Sequence, residues 1–242
     1  MKLAQTLSPE NSDQILFFQK NNNRTLVIHK NKTLIWLTVD DIIQSAIQHT
    51  PPYRPVLPHC YVMLLPLLYD EKPKNVLELG AGGLSLQRYI NQAHPDIMMT
   101  SVENDKQIID TVREYFPDSQ NLIVIQQDAY SYIDNMSENG TKFDWLIIDL
   151  FYGADSPIHN ESELFFKKVC GLISEGGWLI VNILTKDKTK LDELNRVIKK
   201  ATNATVYLFA VPEMQNHIFL IKLGKHHFTF PTDVEKENLS IL

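Results

Sequence analysis

The chain has 242 residues, 44% hydrophobic and 21% charged, which is ordinary globular composition and argues against disorder. Its net charge of −6 makes nucleic acid a poor default partner, since a protein that neutralises phosphates shows a basic face. No apolar run is long enough to span a bilayer; the greasiest stretch, Tyr61 to Tyr69, is too short. Met1 to Asp13, read as a flexible N-terminus, has no apolar region of the secretory kind. The two cysteines, Cys60 and Cys170, lie in apolar stretches without metal-ligand spacing. They read as small buried hydrophobes, and a reducing cytoplasm is the expected compartment.

Residues 14–50 read as a small β-meander. Ile15 to Phe18, Thr25 to Ile28 and Thr33 to Leu37 are short β-favouring runs, separated by Asn21-Asn22-Asn23 and Lys30-Asn31-Lys32. Asparagine tolerates the left-handed conformation of tight hairpins, so about three strands are expected. So small a sheet buries little alone and should pack on the larger domain or on a partner subunit. Residues 51–74 read as a linker and helix: Pro51-Pro52-Tyr53-Arg54-Pro55 is extended, and Pro66 should kink a helix or start one.

From 75 to 224 strands and helices alternate. Strands are expected at Asn75–Leu79, Met98–Val102, Leu122–Gln126, Trp145–Asp149, Trp178–Asn182, Thr205–Val211 and His217–Lys222. Helices are expected from about Leu84, through Val112 and Tyr115, near Ala129, after a capping pair Asn160/Glu163, and over Lys188–Ala201. Near-continuous apolar strands mean a parallel sheet covered on both faces, and the close last pair reads as an antiparallel hairpin. The fold class is α/β, a Rossmann-like doubly wound sheet, with residues 225–242 as a C-terminal tail.

In such a sheet, ligands sit at the carboxyl ends of the strands. After the first strand comes Gly80-Ala81-Gly82-Gly83, small enough for a ligand to approach the backbone; the plainer reading is a tight turn. After the second comes Glu103, suited to the two hydroxyls of a ribose, or simply a helix-start acid. After the third comes Asp128-Ala129, where the Asp could accept from an adenine amino group or cap a helix. Asp149 follows the fourth, at the centre of the cleft. Together these ends point to a nucleoside. A dinucleotide site wants glycine where Ser85 stands. Glu78 before the loop, Asp128-Ala129 and the terminal hairpin suit S-adenosylmethionine instead, an acid beside a sulfonium being electrostatically favourable.

Val76 to Gly82, Val102-Glu103-Asn104-Asp105, Gln127-Asp128-Ala129, Ile147-Ile148-Asp149 and Gly176 to Asn182 resemble the sequential motifs of the spermidine synthase family and its class I methyltransferase-like relatives. The resemblance runs from about Gln14 to Leu223. It implies a seven-stranded nucleotide domain behind a β-meander, a homodimer, and S-adenosylmethionine or its decarboxylated form as donor. The product would be S-adenosylhomocysteine or methylthioadenosine. Carried over residue by residue, it gives Glu103 the ribose, Asp128 the adenine, and Gln44 with Tyr53 the substrate side. Asp149 would orient an attacking amine and take its proton. His59 and Tyr53 sit where the family flanks its cleft.

Three positions depart from the family pattern. Gly83 stands for an acid in the glycine loop, Tyr152 for a second acid after Asp149, and Met214 for a tyrosine in the last turn. A diamine needs paired acids, so the polyamine site reads as degraded. Leu150 to Pro157 reads as a lid, hinged at Gly153, whose Phe151 and Tyr152 suggest a less cationic acceptor; Asp155 is a candidate replacement acid. The acceptor stays a small molecule of unknown identity, amines among the candidates. No metal is expected, His226-His227 reading as a solvated pair. Two further readings are a nucleotide-binding scaffold without turnover and an NAD-binding domain.

Overall fold

The computed structural model describes residues 6–21, 24–151, 163–224 and 228–231. The expected capping residue Asn160, the lid residues Tyr152, Gly153 and Asp155, and His226-His227 lie outside the described residues.

The N-terminal sheet has four strands in sequential antiparallel order: β1 (Gln14–Asn21), β2 (Arg24–Lys30), β3 (Leu34–Val39) and β4 (Ile42–Gln48). The fourth strand escaped the sequence reading because Ile42-Ile43-Gln44-Ser45-Ala46 follows the acidic turn Asp40-Asp41 and mixes polar with apolar side chains. Both turn aspartates take positive φ, 49° and 64°, a conformation short polar side chains tolerate. The sheet packs on the larger domain, as one of the two expected alternatives had it. One core cluster joins Leu34, Trp36 and Ala46 to the sheet strands through α1 (Pro58–Met63) and α2 (Pro66–Tyr69). Another joins Leu26, Ile28 and Leu37 to Ala81, Leu84, Val112 and Phe116. Pro66 starts α2, where its missing N–H costs nothing.

The second sheet has seven strands in the order β10-β11-β9-β8-β5-β6-β7. They are β5 (Asn75–Leu79), β6 (Met98–Glu103), β7 (Val124–Gln126), β8 (Phe143–Ile148), β9 (Ile173–Leu184), β10 (Thr205–Ala210) and β11 (Asn216–Lys222). Strands β5 to β9 run parallel, and β11 pairs antiparallel with both β9 and β10. Helices α3 (Ser85–Ala93), α4 (Lys106–Tyr115), α5 (Ala129–Glu138), α6 (Glu163–Gly171) and α7 (Lys188–Thr202) flank it. Leu77, Leu146, Ile147, Leu179 and Ile180 are wholly buried, the signature of strands covered on both faces. Trp36, Trp145 and Trp178 are core residues. Among the described residues no helix is long and apolar enough to cross a membrane.

Gly176-Gly177 lies inside the long strand β9. A Cβ on Gly177 would stand 2.4 Å from the Asp144 carbonyl, at the register shift between β8 and β9. Gly177 therefore admits a close backbone approach, while Gly176 takes a positive φ of 77°. Winding reverses between β5 and β8: the chain goes from β5 to β6 and β7 on one side, then returns to β8 on the other. That switch point opens a crevice at the carboxyl ends of these strands, where a ligand finds no crossing connection.

Candidate active site

A cavity of about 780 Å³ occupies this crevice, roofed by β4 of the N-terminal sheet. Its walls include Gln44, His59, Glu78, Gly80 to Gly83, Glu103, Asn104, Asp128, Ala129, Asp149, Phe151 and Met214. Residues spread over 170 positions of sequence converge here because each follows, or faces, a strand end.

The glycine loop is shaped by its neighbours. A Cβ on Gly80 would lie 2.1 Å from the Asp149 carbonyl oxygen, so this position, at φ +90°, admits only glycine. Gly80 N–H bonds to the Val102 carbonyl at 2.9 Å, tying the loop to β6. Leu84, not the start of the helix, is a left-handed N-cap with φ 59°. Arg88, 2% exposed, reaches back from α3 and donates to the Gly83 carbonyl at 2.9 Å and to Ser119 Oγ at 3.0 Å. At Gly83 the β4 side chain Ser45 fills the space: a Cβ there would stand 2.1 Å from Ser45 Oγ, which bonds Ser85 Oγ at 2.8 Å. No side chain, acidic or otherwise, fits at 83 while Ser45 holds its place.

Glu103 ends β6 with both carboxylate oxygens held. Oε2 accepts from Gly82 N–H at 3.2 Å and Oε1 from Asp105 N–H at 3.0 Å. Each oxygen keeps a further lone pair for a ligand hydroxyl. Burial raises its pKa, while the backbone donors oppose that rise. Asp128 does cap α5: its Oδ1 accepts from Ser131 N–H at 2.9 Å and from Ser131 Oγ at 3.1 Å. The capping and the wall position coexist, since the residue is exposed to the cavity as well.

Asp149 sits at the centre. Burial pushes its carboxyl up to about 7, Glu103 adding to the rise and Asn182 opposing it. Asn182 Nδ2 donates to Asp149 Oδ1 at 2.8 Å, and Asn216 Nδ2 donates to Asn182 Oδ1 at 3.0 Å. Neither asparagine was singled out from sequence. The usable signal was a polar amide closing the wholly apolar run Trp178 to Val181, because a buried amide demands a partner.

Glu78, expected beside the loop, lines the cavity from the end of β5. It is 2% exposed, bonds Ser101, and is pushed up to about 8 by burial, with Asp149 and Glu103 adding to the rise. His59 is neutral, burial lowering it to about 4, and its buried Nδ1 has no hydrogen-bond partner among the described residues. Tyr53 is not brought to the cavity wall. It packs half-buried against the first core cluster, in a turn closed by the bridge between Ile47 and Pro55. Gln44 does line the cavity, its amide donating to the Ile42 carbonyl at 3.4 Å. Phe151 and Met214 line it; Tyr152 and Asp155 fall outside the described residues.

Acids dominate the wall. Asp40 and Glu213 join the four strand-end carboxyls, and Arg24, the cation on the wall, is paired with Asp105. The volume, the glycine cradle and the paired oxygens of Glu103 fit an adenosyl nucleoside, and the acids fit a cationic one.

The spermine/spermidine synthase domain model matches residues 57–234. The chain belongs to that family. A polyamine aminopropyltransferase from Vibrio vulnificus (strain CMCP6) is 27% identical over 232 residues, covering 91% of this chain and 77% of its own length. The chain spans 57% to 60% of the length of three further relatives of the same name. A probable spermidine synthase from Corynebacterium glutamicum ATCC 13032 superimposes with a TM-score of 0.74 at 16% identity, over 92% of this chain and 85% of that one. Human methyltransferase-like protein 13, solved in complex with SAH, superimposes at 0.61 and 22% identity, over 75% of this chain and 86% of that one. These likenesses bear out the α/β class, with its seven-stranded sheet and N-terminal antiparallel strands, and the family read from the motifs.

Proposed function

We propose that this spermine/spermidine synthase family member is a transferase that binds S-adenosylmethionine or its decarboxylated form and passes a methyl or aminopropyl group to a small acceptor. The observation that carries the reading is the placement of the buried Asp149 carboxyl, locked by Asn182, in the same cavity as the Gly80–Gly83 cradle and Glu103.

The donor nucleoside supplies an electrophilic carbon on its sulfonium. The chain's own groups do the rest. Glu103 takes the ribose hydroxyls with its two fixed oxygens, and Asp128, on the same wall, accepts from the adenine amino group. Asp149 orients the acceptor's nucleophile and takes its proton; at about 7 its pKa matches a base working near neutral pH. Holding nucleophile and carbon in line supplies the larger part of the acceleration. Gln44, Phe151, Met214 and His59 form the acceptor side, His59 offering its unpaired Nδ1. Ser45 at the Gly83 position supports a polyamine site that is no longer intact, because the acid which would hold an ammonium there has no room. A homodimer in the cytoplasm belongs to the same reading; Ile15 and Phe18, 55% and 58% exposed on the edge strand β1, are apolar side chains a second copy would cover.

The test is product analysis with each donor and a panel of small amines. Methylthioadenosine or S-adenosylhomocysteine should accumulate with an acceptor other than putrescine, and Asp149→Asn should abolish it. Spermidine formed efficiently from putrescine would overturn the degraded-site reading. No product with any acceptor, beside tight nucleoside binding, would favour the scaffold alternative.

A further inference from the structure

Behind the glycine loop, three buried side chains form a chain of hydrogen bonds that needs one more proton than serine and glutamine can provide. Gln87, on α3, gives both amide N–H bonds to main-chain carbonyls, Met99 at 2.8 Å and Ile123 at 2.9 Å. Its amide is thereby oriented, and Oε1 faces Ser101 Oγ at 3.2 Å as an acceptor. Ser101 Oγ also stands 2.5 Å from Glu78 Oε2. A serine hydroxyl carries a single proton. Given to Glu78, that proton leaves Ser101 and Gln87 with lone pairs facing each other. Given to Gln87, it leaves the short contact with Glu78 to be bridged from the glutamate side. Only a carboxylic acid at 78 furnishes both contacts. Water does not stand between these atoms, because contacts of 2.5 and 3.2 Å leave no room for one.

The surroundings agree. Asp149 from the end of β8 and Glu103 from the end of β6 both oppose a charge on Glu78. From α1, Cys60 is a neutral thiol held far above its usual range by burial, and His59 is a neutral imidazole. On α3, Arg88 is committed to Gly83 and Ser119. Arg24, across the cavity, is paired with Asp105. Among the described residues, then, no free cation faces Glu78, yet the residue lines the cavity where a ligand would bring one.

We propose that Glu78 is a neutral acid in the free protein and gives up its proton when a sulfonium enters the cavity, so that a charged donor nucleoside binds with proton release and its neutral thioether product binds without it. The inference rests on the adenosyl-sulfonium reading above. Its balance is simple. The carboxyl O–H breaks, the proton passes to the buffer, and the carboxylate left behind offsets the sulfonium. After group transfer the sulfur is neutral, and Glu78 takes a proton back. Glu78 thus selects for the charged nucleoside and weakens the hold on the spent one.

Glu78→Gln keeps a neutral donor toward Ser101 and removes the titration. In free protein labelled with ¹³C in its glutamate carboxyls, one carboxyl should titrate far above the usual range of about 4, and be missing from Glu78→Gln. Calorimetry near pH 7, in buffers of different ionisation enthalpy, should then find proton release with S-adenosylmethionine and none with methylthioadenosine. In Glu78→Gln that release should fall sharply, S-adenosylmethionine should bind about 10-fold more weakly, a change of ~1.4 kcal/mol, and methylthioadenosine should bind as before. Asp149→Asn should keep most of the release. Every glutamate titrating in the ordinary range overturns the proposal, as does release that survives Glu78→Gln and vanishes in Asp149→Asn. Should neither nucleoside bind, the adenosyl reading falls, while the carboxyl titration still decides the protonation of Glu78.

Discussion

Asn182 Nδ2 donates to Asp149 Oδ1 at 2.8 Å, and it does so from the middle of the sheet, where Asn216 holds its carbonyl end at 3.0 Å. An amide N–H stabilises the ionised carboxylate, so it opposes the rise that burial imposes. Replacing Asn182 with Leu should move the Asp149 titration upward by ~1–2 units, since one unit is ~1.36 kcal/mol and a hydrogen bond to a charged group is worth ~1.5–3 kcal/mol. Asn216→Ala should move it less, in the same direction. Carboxyl titration by ¹³C spectroscopy, with Asp149→Asn as the assignment, reads both. An unmoved titration in a folded Asn182→Leu protein would reduce the asparagine to packing.

Stability should fall as pH rises through neutrality. Glu78 and Asp149 are raised in the folded chain to about 8 and about 7. Below about pH 4 both are protonated in folded and unfolded chains alike. Above that the unfolded chain ionises first and the folded chain binds more protons, so the slope of stability against pH is negative until both folded groups ionise. Asp70 is lowered, with Lys222 and Trp178 as its partners, and acts in the opposite sense: its contribution is lost only as pH falls below the usual carboxylate range. Melting curves at pH 5.5 and 8 should show the lower midpoint at pH 8, with a smaller difference in Glu78→Gln.

Restoring an acid to the glycine loop should fail alone and succeed in company. Gly83→Asp puts a Cβ 2.1 Å from Ser45 Oγ, an overpacking expected to cost ~1–3 kcal/mol. That corresponds to a loss of roughly 2–4 °C in Tm per kcal/mol for a chain of this size. Ser45→Gly with Gly83→Asp should recover most of the loss, so that the two changes are strongly non-additive. Additive losses would show that Ser45 is not what excludes a side chain at 83.

Arg88 should matter to ligand binding though it lies behind the loop. Its guanidinium fixes Gly83, Ser119 and the Pro117 carbonyl while covering the Phe116 ring. Lysine cannot span three acceptors in a plane. Arg88→Lys should stay folded with a lowered Tm and bind nucleoside several-fold more weakly; unchanged affinity would remove the loop-positioning role.

Much of this architecture is legible in the chain itself. The strand from Asn75 to Leu79 and the hairpin from Thr205 to Lys222 are mainly apolar runs with clear breaks, and Glu103, Asp128 and Asp149 stand at strand ends that are easily read. What escaped depends on tertiary contact. Ile42 to Gln48 has no clean alternation, because one side of the strand meets the glycine loop instead of solvent or core. Asn182 and Asn216 gain meaning only when β9 and β11 pair. Glu78 is legible before the loop, but spacing cannot report that Asp149, Glu103 and near-complete burial surround it. Tyr53 reads as a cleft residue from the motif order, yet the turn at Pro51 to Arg54 carries it into the packing against the first core cluster.

The central claim is that the strand-end carboxyls and the Gly80–Gly83 loop surround one adenosine. Thermal shift with methylthioadenosine and with NAD, on the native chain and on Glu103→Ala, tests it most directly. At 100 times its Kd a ligand adds about 2.7 kcal/mol, so methylthioadenosine should raise the native Tm by several degrees, NAD should not, and Glu103→Ala should lose the rise. An equal response to NAD, or an undiminished rise in Glu103→Ala, would contradict it.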